Sequence, residues 1–246
     1  TGRQIQSVSG ARKNSRCLAW NADGRLVIQK GKRLLCLMDP DSGEVSDPWV
    51  EDEASIVHLA PSPNANQILT VASHSLAGVS AKIVRIWEGK GESPVRTLVS
   101  KDLHSRNLFA VSWSPDGKYA LATGAGHLVY LWIAANGEAV IDYHDPDAKL
   151  RMGGLLSGRL LGHAWHPDGK RFATSSSDNT ILLWEIGQQE PAGEPLVGHT
   201  GEVKEIAWHP TGSRLASCST DHTIKIWDTE TRELTLTLRG HTDEVR

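Results

Sequence analysis

An all-β fold built from a repeated four-stranded unit is predicted by three observations on this 246-residue chain. A tryptophan-bearing vocabulary recurs along it at near-regular intervals. The 23 Gly and 11 Pro are scattered as turn punctuation and are not gathered into a linker. Nine Trp stand against two Phe, and their regular placement points to a structural repeat before it points to any motif.

The repeat has two landmarks. The first recurs as LAWNADG (18–24), VSWSPDG (111–117), HAWHPDG (163–169) and IAWHPTG (206–212), with a degenerate copy, HLAPSPN, at 58–64. The second recurs as VRIWE (84–88), VYLWI (129–133), LLWEI (182–186) and IKIWD (224–228), preceded by LCLMD (35–39) with Met38 in the Trp place. From Met38 to Trp227 the second landmark steps by 49, 45, 52 and 43 residues. A period in the forties with this vocabulary is a specific signal.

Each element of the last repeat can be justified in turn. EIAW reads as strand a, and HPTG as a turn in which Pro presets φ and Gly accepts a positive one. RLASCS is strand b, TDHT a tight turn, IKIWD strand c, and LTLTL (234–238) alternates as strand d. One such sheet cannot bury both faces by itself. Stacking successive sheets around an axis does, which predicts a β-propeller of four-stranded antiparallel blades. Five complete blades fall at 11–51, 52–103, 104–155, 156–198 and 199–240. RQIQSV alternates like a strand d, so residues 1–9 read as the outer strand of a partial closing blade and 241–246 as the start of a further repeat. The strands missing from that blade are expected from a continuation of the chain or from another chain.

The stretch GHTGEVKEIAWHPTGSRLASCSTDHTIKIWD (198–228) resembles the WD40-repeat family, and the resemblance covers nearly the whole chain. It implies that His199, Ser217, Asp221 and Trp227 form the family's structural hydrogen-bond tetrad. That suits the physics, since four such groups are costly to bury unless they satisfy one another. It also implies a seven-bladed ring, and hence a polypeptide that continues past Arg246. The other repeats depart from the pattern. Nine residues before the strand-a Trp stand His104 in the third repeat and Leu156 in the fourth. Six residues before the strand-c landmark stand Asp178 in the fourth, Gly126 in the third, Ala81 in the second and Lys32 in the first. Only the fifth has the full set, so blades one and two are expected to be the less rigid end unless stacking compensates.

Composition excludes several function classes. A net charge of −3 and a pI near 6.4 argue against broad binding to a phosphate backbone. There is no apolar run long enough to suggest a membrane span, and no signal-peptide core at the N-terminus. Cys17, Cys36 and Cys218 are too few and too scattered for a disulfide framework or a zinc site, and no glycosylation acceptor occurs. An intracellular, reducing location follows from both absences. His163 and His166, three apart on a strand, point to opposite faces and do not chelate one ion. His104, His199 and His241 are better explained as tetrad residues. GKGES (89–93) lacks the end of a phosphate-binding loop, no Gly-X-Ser-X-Gly elbow occurs, and the carboxylates sit in turns. No enzyme activity, metal, cofactor or catalytic residue is expected.

A partner would meet the b–c and d–a connections, because loops vary while strands hold them in place. Two of these depart most from the repeat: SHSLAGVSAK (73–82), which holds an insertion, and the connection at 143–160. Residues 1–36 carry eight Lys/Arg and one Asp, whereas 37–66 carry seven Asp/Glu and no Lys/Arg. Mutual neutralisation across neighbouring blades is the favoured reading of that segregation over an acidic docking spot around Glu51-Asp52-Glu53. Candidate contacts by position are Ser105, Arg106, Asn179, Glu202 and His222. The function expected is a non-catalytic scaffold for protein–protein interaction within a multiprotein complex, without direct nucleic-acid or membrane binding. Two alternatives stand beside it. One is a WD40 subunit of a nucleic-acid-processing particle such as ribosome biogenesis, acting through protein contacts, on a resemblance of KGKRLLCLMDPDSGEV and the extended second loop to such subunits. The other is a regulatory propeller attached to a catalytic domain outside these residues.

Overall fold

The computed structural model describes residues 18–52, 54–64, 67–76, 79–88, 93–98, 108–143 and 158–245. Among them the chain forms twenty strands and no helix. The first sheet is β1 (Leu18–Trp20), β2 (Leu26–Lys30), β3 (Leu34–Met38) and β4 (Val45–Glu51). The second is β5 (Ser55–Pro61), β6 (Gln67–Leu76), β7 (Val79–Glu88) and β8 (Arg96–Leu98). The third is β9 (Leu108–Trp113), β10 (Tyr119–Gly124), β11 (Val129–Ile133) and β12 (Ala139–Tyr143). The fourth is β13 (Leu160–Trp165), β14 (Arg171–Ser176), β15 (Thr180–Glu185) and β16 (Leu196–Val197). The fifth is β17 (Val203–Trp208), β18 (Arg214–Ser219), β19 (Ile224–Asp228) and β20 (Leu234–Leu238). In each sheet sequential strands are antiparallel neighbours. The fold class is all-β, with four-stranded sheets of the propeller-blade type.

The turns between strands a and b explain the recurring Pro-Asp-Gly or Pro-Thr-Gly. Gly117, Gly169 and Gly212 donate their N–H to the carbonyls of Ser114, His166 and His209 at 2.9, 3.0 and 2.8 Å. Each of these glycines has a positive φ (71°, 68° and 80°), where a Cβ would be strained. Asp168 closes its turn further by accepting the Lys170 N–H at 2.8 Å. Strand a carries a β-bulge in the second, fourth and fifth sheets, at Ile56/His58, Leu160/Gly162 and Val203/Glu205. The shared bulge puts these three sheets in one common register.

The chain divides into two compact units, Thr1–Arg106 with Val111–Trp113, and Asn107–Ala110 with Ser114–Arg246. Within the first, Val27 and Leu35 of the first sheet pack with Ile56, Leu59, Ile68 and Trp87 of the second. Within the second, Leu121, Val129, Leu131 and Ile141 pack with Leu160, Phe172, Leu182 and Trp184. A further cluster joins Ala173, Ile181, Leu183 and Leu196 to Val203, Ile206, Leu215 and Trp227. Strand alternation accounts for this double burial. Phe172 and Leu182 face one neighbour, while Ala173, Ile181 and Leu183 face the other. Each of Trp87, Trp184 and Trp227 therefore lies against the sheet that precedes its own. Trp184 also stacks on Phe172, with centroids 5.7 Å apart and planes at 5°.

One expectation needs correction. The stretch 73–82 is not a free loop insertion. Ser73 pairs with Lys82, His74 with Ala81, Ser75 with Ser80 and Leu76 with Val79, so strands b and c lengthen to ten residues each. Extending the ladder satisfies the added backbone groups within the hairpin itself. Residues 1–17, with the expected outer strand, and 144–157, the core of the second long connection, lie outside the described residues.

Trp184 is 1% exposed and Val197, on the outer strand of the same sheet, is 71% exposed. Trp184→Ala is expected to cost about 3–5 kcal/mol of unfolding free energy. Val197→Ala should stay within about 0.5 kcal/mol. Urea titrations of the two variants measure the difference.

Candidate functional site

Four polar side chains of the fifth sheet stand in one hydrogen-bonded chain. The Trp227 indole donates to Ser217 Oγ at 2.8 Å. Ser217 Oγ lies 2.8 Å from His199 Nε2, and His199 Nδ1 lies 2.7 Å from Asp221 Oδ2. Trp227 and Ser217 are buried in strands c and b, His199 is buried in the connection from the fourth sheet, and Asp221 sits half-buried in the b–c turn. Burial pushes the His199 imidazole down, against the opposing pull of Asp221, and Lys225 pushes the same way as burial. The neutral ring then carries its proton on Nδ1 toward Asp221, and Nε2 accepts the Ser217 hydroxyl proton. Burial acting alone would raise the Asp221 carboxyl. The Thr223 hydroxyl, the Thr200 N–H and His199 outweigh it and hold that carboxyl well below the usual carboxylate range.

The second sheet solves the same problem with other residues. Trp87 donates its indole N–H to Thr70 Oγ1 at 2.9 Å. Ile56 pairs with Ala72 ahead of the strand-a bulge, as Val203 pairs with Ser219. Asp52, four residues before Ile56, thus takes the place that His199 has before Val203. It is fully buried and ion-paired with Arg85 on strand c. The Ala54 N–H adds a hydrogen bond to Asp52 Oδ1 at 2.8 Å, and Arg33 Nε donates to the Asp52 carbonyl at 2.6 Å. Asp52 is therefore withdrawn from any docking role. In the fourth sheet Trp184 donates to Thr174 Oγ1 at 3.0 Å, and the turn acid Asp178 meets His127 Nε2 at 2.9 Å. In the third sheet the hydroxyl place holds Ala122, opposite Tyr130, and Tyr130 stacks on Trp132 with centroids 5.5 Å apart.

Three of the five candidate contact residues are described. Asn179 and His222 follow the turn acids Asp178 and Asp221, with φ of 73° and 64°. Asn179 is half-buried and His222 exposed. Their N–H groups close the turns onto the carbonyls of Ser176 and Ser219 at 3.3 Å each. Glu202 receives the Thr220 N–H on its carbonyl at 3.0 Å, which ties the start of strand a to the same turn. Its carboxylate pairs with Lys204 and lies 3.8 Å from Arg159 Nη2. Ser105 and Arg106 lie outside the described residues, as do Cys17 and His104.

His163 and His166 are held by neighbouring groups. His163 Nδ1 lies 2.9 Å from Thr123 Oγ1, and His166 Nε2 lies 3.1 Å from the Gly212 carbonyl with its ring edge-on to Trp208. His241 is exposed. Cys36 is a buried free thiol, pushed up by burial. Among the described residues no group of three or more His, Cys, Asp or Glu is placed to hold a metal ion. Sequence reasoning missed Asp52, Arg85 and His127. The signal for Asp52 was its distance from the bulged strand. That signal was hidden because the strand register puts Pro61, and not Ala60 as the degenerate copy 58–64 reads, in the place of the strand-a Trp that served as the ruler.

Residues 92–132, 156–185 and 191–228 match the family model described as WD domain, G-beta repeat. Similar proteins include actin-interacting protein 1 of Drosophila melanogaster, 28% identical over 131 residues that cover 53% of this chain and 20% of that protein. The Caenorhabditis elegans actin-interacting protein 1 is 36% identical over 181 residues, 73% of this chain and 26% of that one. The APC/C activator protein CDH1 of Saccharomyces cerevisiae is 26% identical over 203 residues, 81% of this chain and 32% of its own length. The chain spans less than a third of the length of each of these curated relatives.

Buried acids tie stability to pH. Burial opposes ionisation of Asp178, but His127 and both donors of Thr180 overcome it and lower its pKa from 3.8 to about 2. An acid depressed on folding contributes stability that is present above its ordinary value and is lost as pH falls through its folded value. Asp178 should therefore cost the protein about 2 kcal/mol as pH falls from about 4 to about 2. His199, depressed below 6.5, adds a loss that begins as pH drops past that value. Urea unfolding at stepped pH should show the lower segment flattened in Asp178→Asn, from a reduced plateau at neutral pH.

Proposed function

The chain belongs to the WD40-repeat family, and from that premise we propose that it is a non-catalytic, intracellular scaffold that binds protein partners through its b–c turns and d–a connections. The observation that carries this reading is the position of the candidate side chains. Asn179 and His222 are each the next residue after a hydrogen-bonded acid, buried Asp178 and half-buried Asp221, and Glu202 is bonded through its carbonyl to the turn beside His222. A side chain presented from a turn already held by the core loses little further freedom on binding, so more of the contact energy appears as affinity. The names of two relatives point the same way, toward proteins that act on other proteins: an actin-interacting protein and an activator of APC/C. The Ser217–His199–Asp221 order resembles a nucleophilic triad in composition only. Ser217 is 2% exposed and its oxygen already accepts the Trp227 N–H, so no substrate carbonyl reaches it.

Asn179→Gly and His222→Gly remove the side chains while keeping the left-handed turns at no steric cost. Combined with Glu202→Ala, they should weaken capture of protein partners about tenfold or more, as loss of a contact cluster does. The unfolding transition should be nearly unchanged. Affinity capture with quantitative mass spectrometry measures the first, and thermal denaturation the second. A folded triple variant that recovers the same partners in the same amounts would count against the proposal.

A further inference from the structure

The fourth repeat has Leu156 nine residues before its strand-a Trp165, where the fifth has His199 before Trp208. Its turn acid is nevertheless dressed in the same way. Asp178 Oδ1 accepts from the N–H and the hydroxyl of Thr180 at 3.0 and 2.6 Å. Asp221 Oδ1 accepts from the N–H and the hydroxyl of Thr223 at the same two distances. The backbone N–H of each acid bonds the serine two residues earlier, Ser176 at 3.2 Å and Ser219 at 3.1 Å. The difference lies on Oδ2. In the fifth sheet it faces His199 Nδ1 at 2.7 Å, and in the fourth it faces His127 Nε2 at 2.9 Å.

His127 belongs to the third sheet, in the turn from β10 to β11, and it has a built seat on the fourth. The N–H groups of Gly126 and His127 both donate to the Gly158 carbonyl at 3.0 Å. A Cβ on Gly158 would lie 1.7 Å from His127 Nε2, so the ring fits only because that position is glycine. Ser176 Oγ stands 3.3 Å from the same nitrogen. His127 is 8% exposed and has a φ of 54°. Counted from the strand-c Trp, it occupies the turn position of Asn179 and His222, which share its left-handed backbone.

We infer that His127 supplies, from the third blade, the histidine that the fourth repeat lacks, and so acts as a positioning residue for the turn that carries Asn179. His199 ties a connection to its own sheet. His127 ties one blade to the next, and its departure leaves the Asp178 carboxylate buried without its main partner on Oδ2. The inference concerns which side chain holds the turn and does not rest on what docks there.

A mutant cycle on the full chain tests it. Gln keeps an N–H donor near the Nε2 place without the ring, so His127→Gln separates the hydrogen bond from packing. His127→Ala is expected to lower Tm by roughly 5 °C. His127→Gln should lose less than half of that, and His127→Ala with Asp178→Asn no more than the worse single variant. The amide resonances of Asn179 and Thr180 should move in His127→Ala and return in His127→Gln. Losses that add in the double variant, or a His127→Gln loss as large as that of His127→Ala, would make His127 a packing residue and overturn the inference. If His127→Ala does not accumulate as folded protein, His127→Gln and its double with Asp178→Asn complete the cycle, and additive losses there overturn the inference in the same way.

Discussion

A tryptophan carried into the interface between two sheets must find an acceptor for its indole N–H, and the interiors of these blades follow from that constraint. Burying an aromatic side chain gains about 1.5–3 kcal/mol, while leaving a buried donor unpaired costs about 1–3 kcal/mol. The two are of one size, so the acceptor decides whether the tryptophan stabilises the sheet at all. Thr70, Thr174 and Ser217 meet the need at equivalent places on strand b. A hydroxyl suits the task because it accepts from the indole and still has a proton to give onward. In the fifth sheet that proton goes to His199, which passes the chain to Asp221 and so to the surface turn.

The same chain links cohesion to the turns proposed for docking. Its inner end is apolar packing, and its outer end is a turn acid that holds the backbone of the next residue in a left-handed conformation. Asn179 and His222 are thereby presented from positions fixed by the core, without flexible loops of their own. Charge in this chain is held by hydrogen bonds. The Asp221 carboxylate is engaged by Thr200, Thr223 and His199, and the neutral ring beside it carries no net charge to desolvate. An arrangement that elsewhere activates a serine is here closed on itself by the Trp227 N–H.

The physical requirement is satisfaction of buried groups, and no single residue type is obligatory for it. The second sheet uses an Asp52–Arg85 ion pair, in which the Ala54 N–H shares the burden of a desolvated carboxylate. The third has Ala122 in the place of the strand-b hydroxyl, and there Tyr130 stacks on Trp132 as a packing contact. A buried ion pair gives little net stability but is costly to break from one side. The second blade is thus held by a brittle contact where the fifth is held by a network.

Much of this architecture was legible in the sequence. Strand order and the a–b turns depend on residues close in the chain, whereas the fifth-sheet tetrad was implied only by the resemblance to a known family. Alternation with a period of two and the φ preferences of Pro and Gly act locally, so 206–212 and 234–238 announce their structure wherever they stand. The Asp52–Arg85 and His127–Asp178 contacts could not be read that way, because they join residues 33 and 51 apart in different elements. Nor could the length of 73–82 distinguish a loop from a paired hairpin, since the choice turns on which carbonyl finds which N–H. Local conformation is set by the steric preferences of each residue, and the sequence determined it. Which buried charge meets which partner depends on the desolvation cost at a given place in the packed sheets, and only the tertiary structure decides that place.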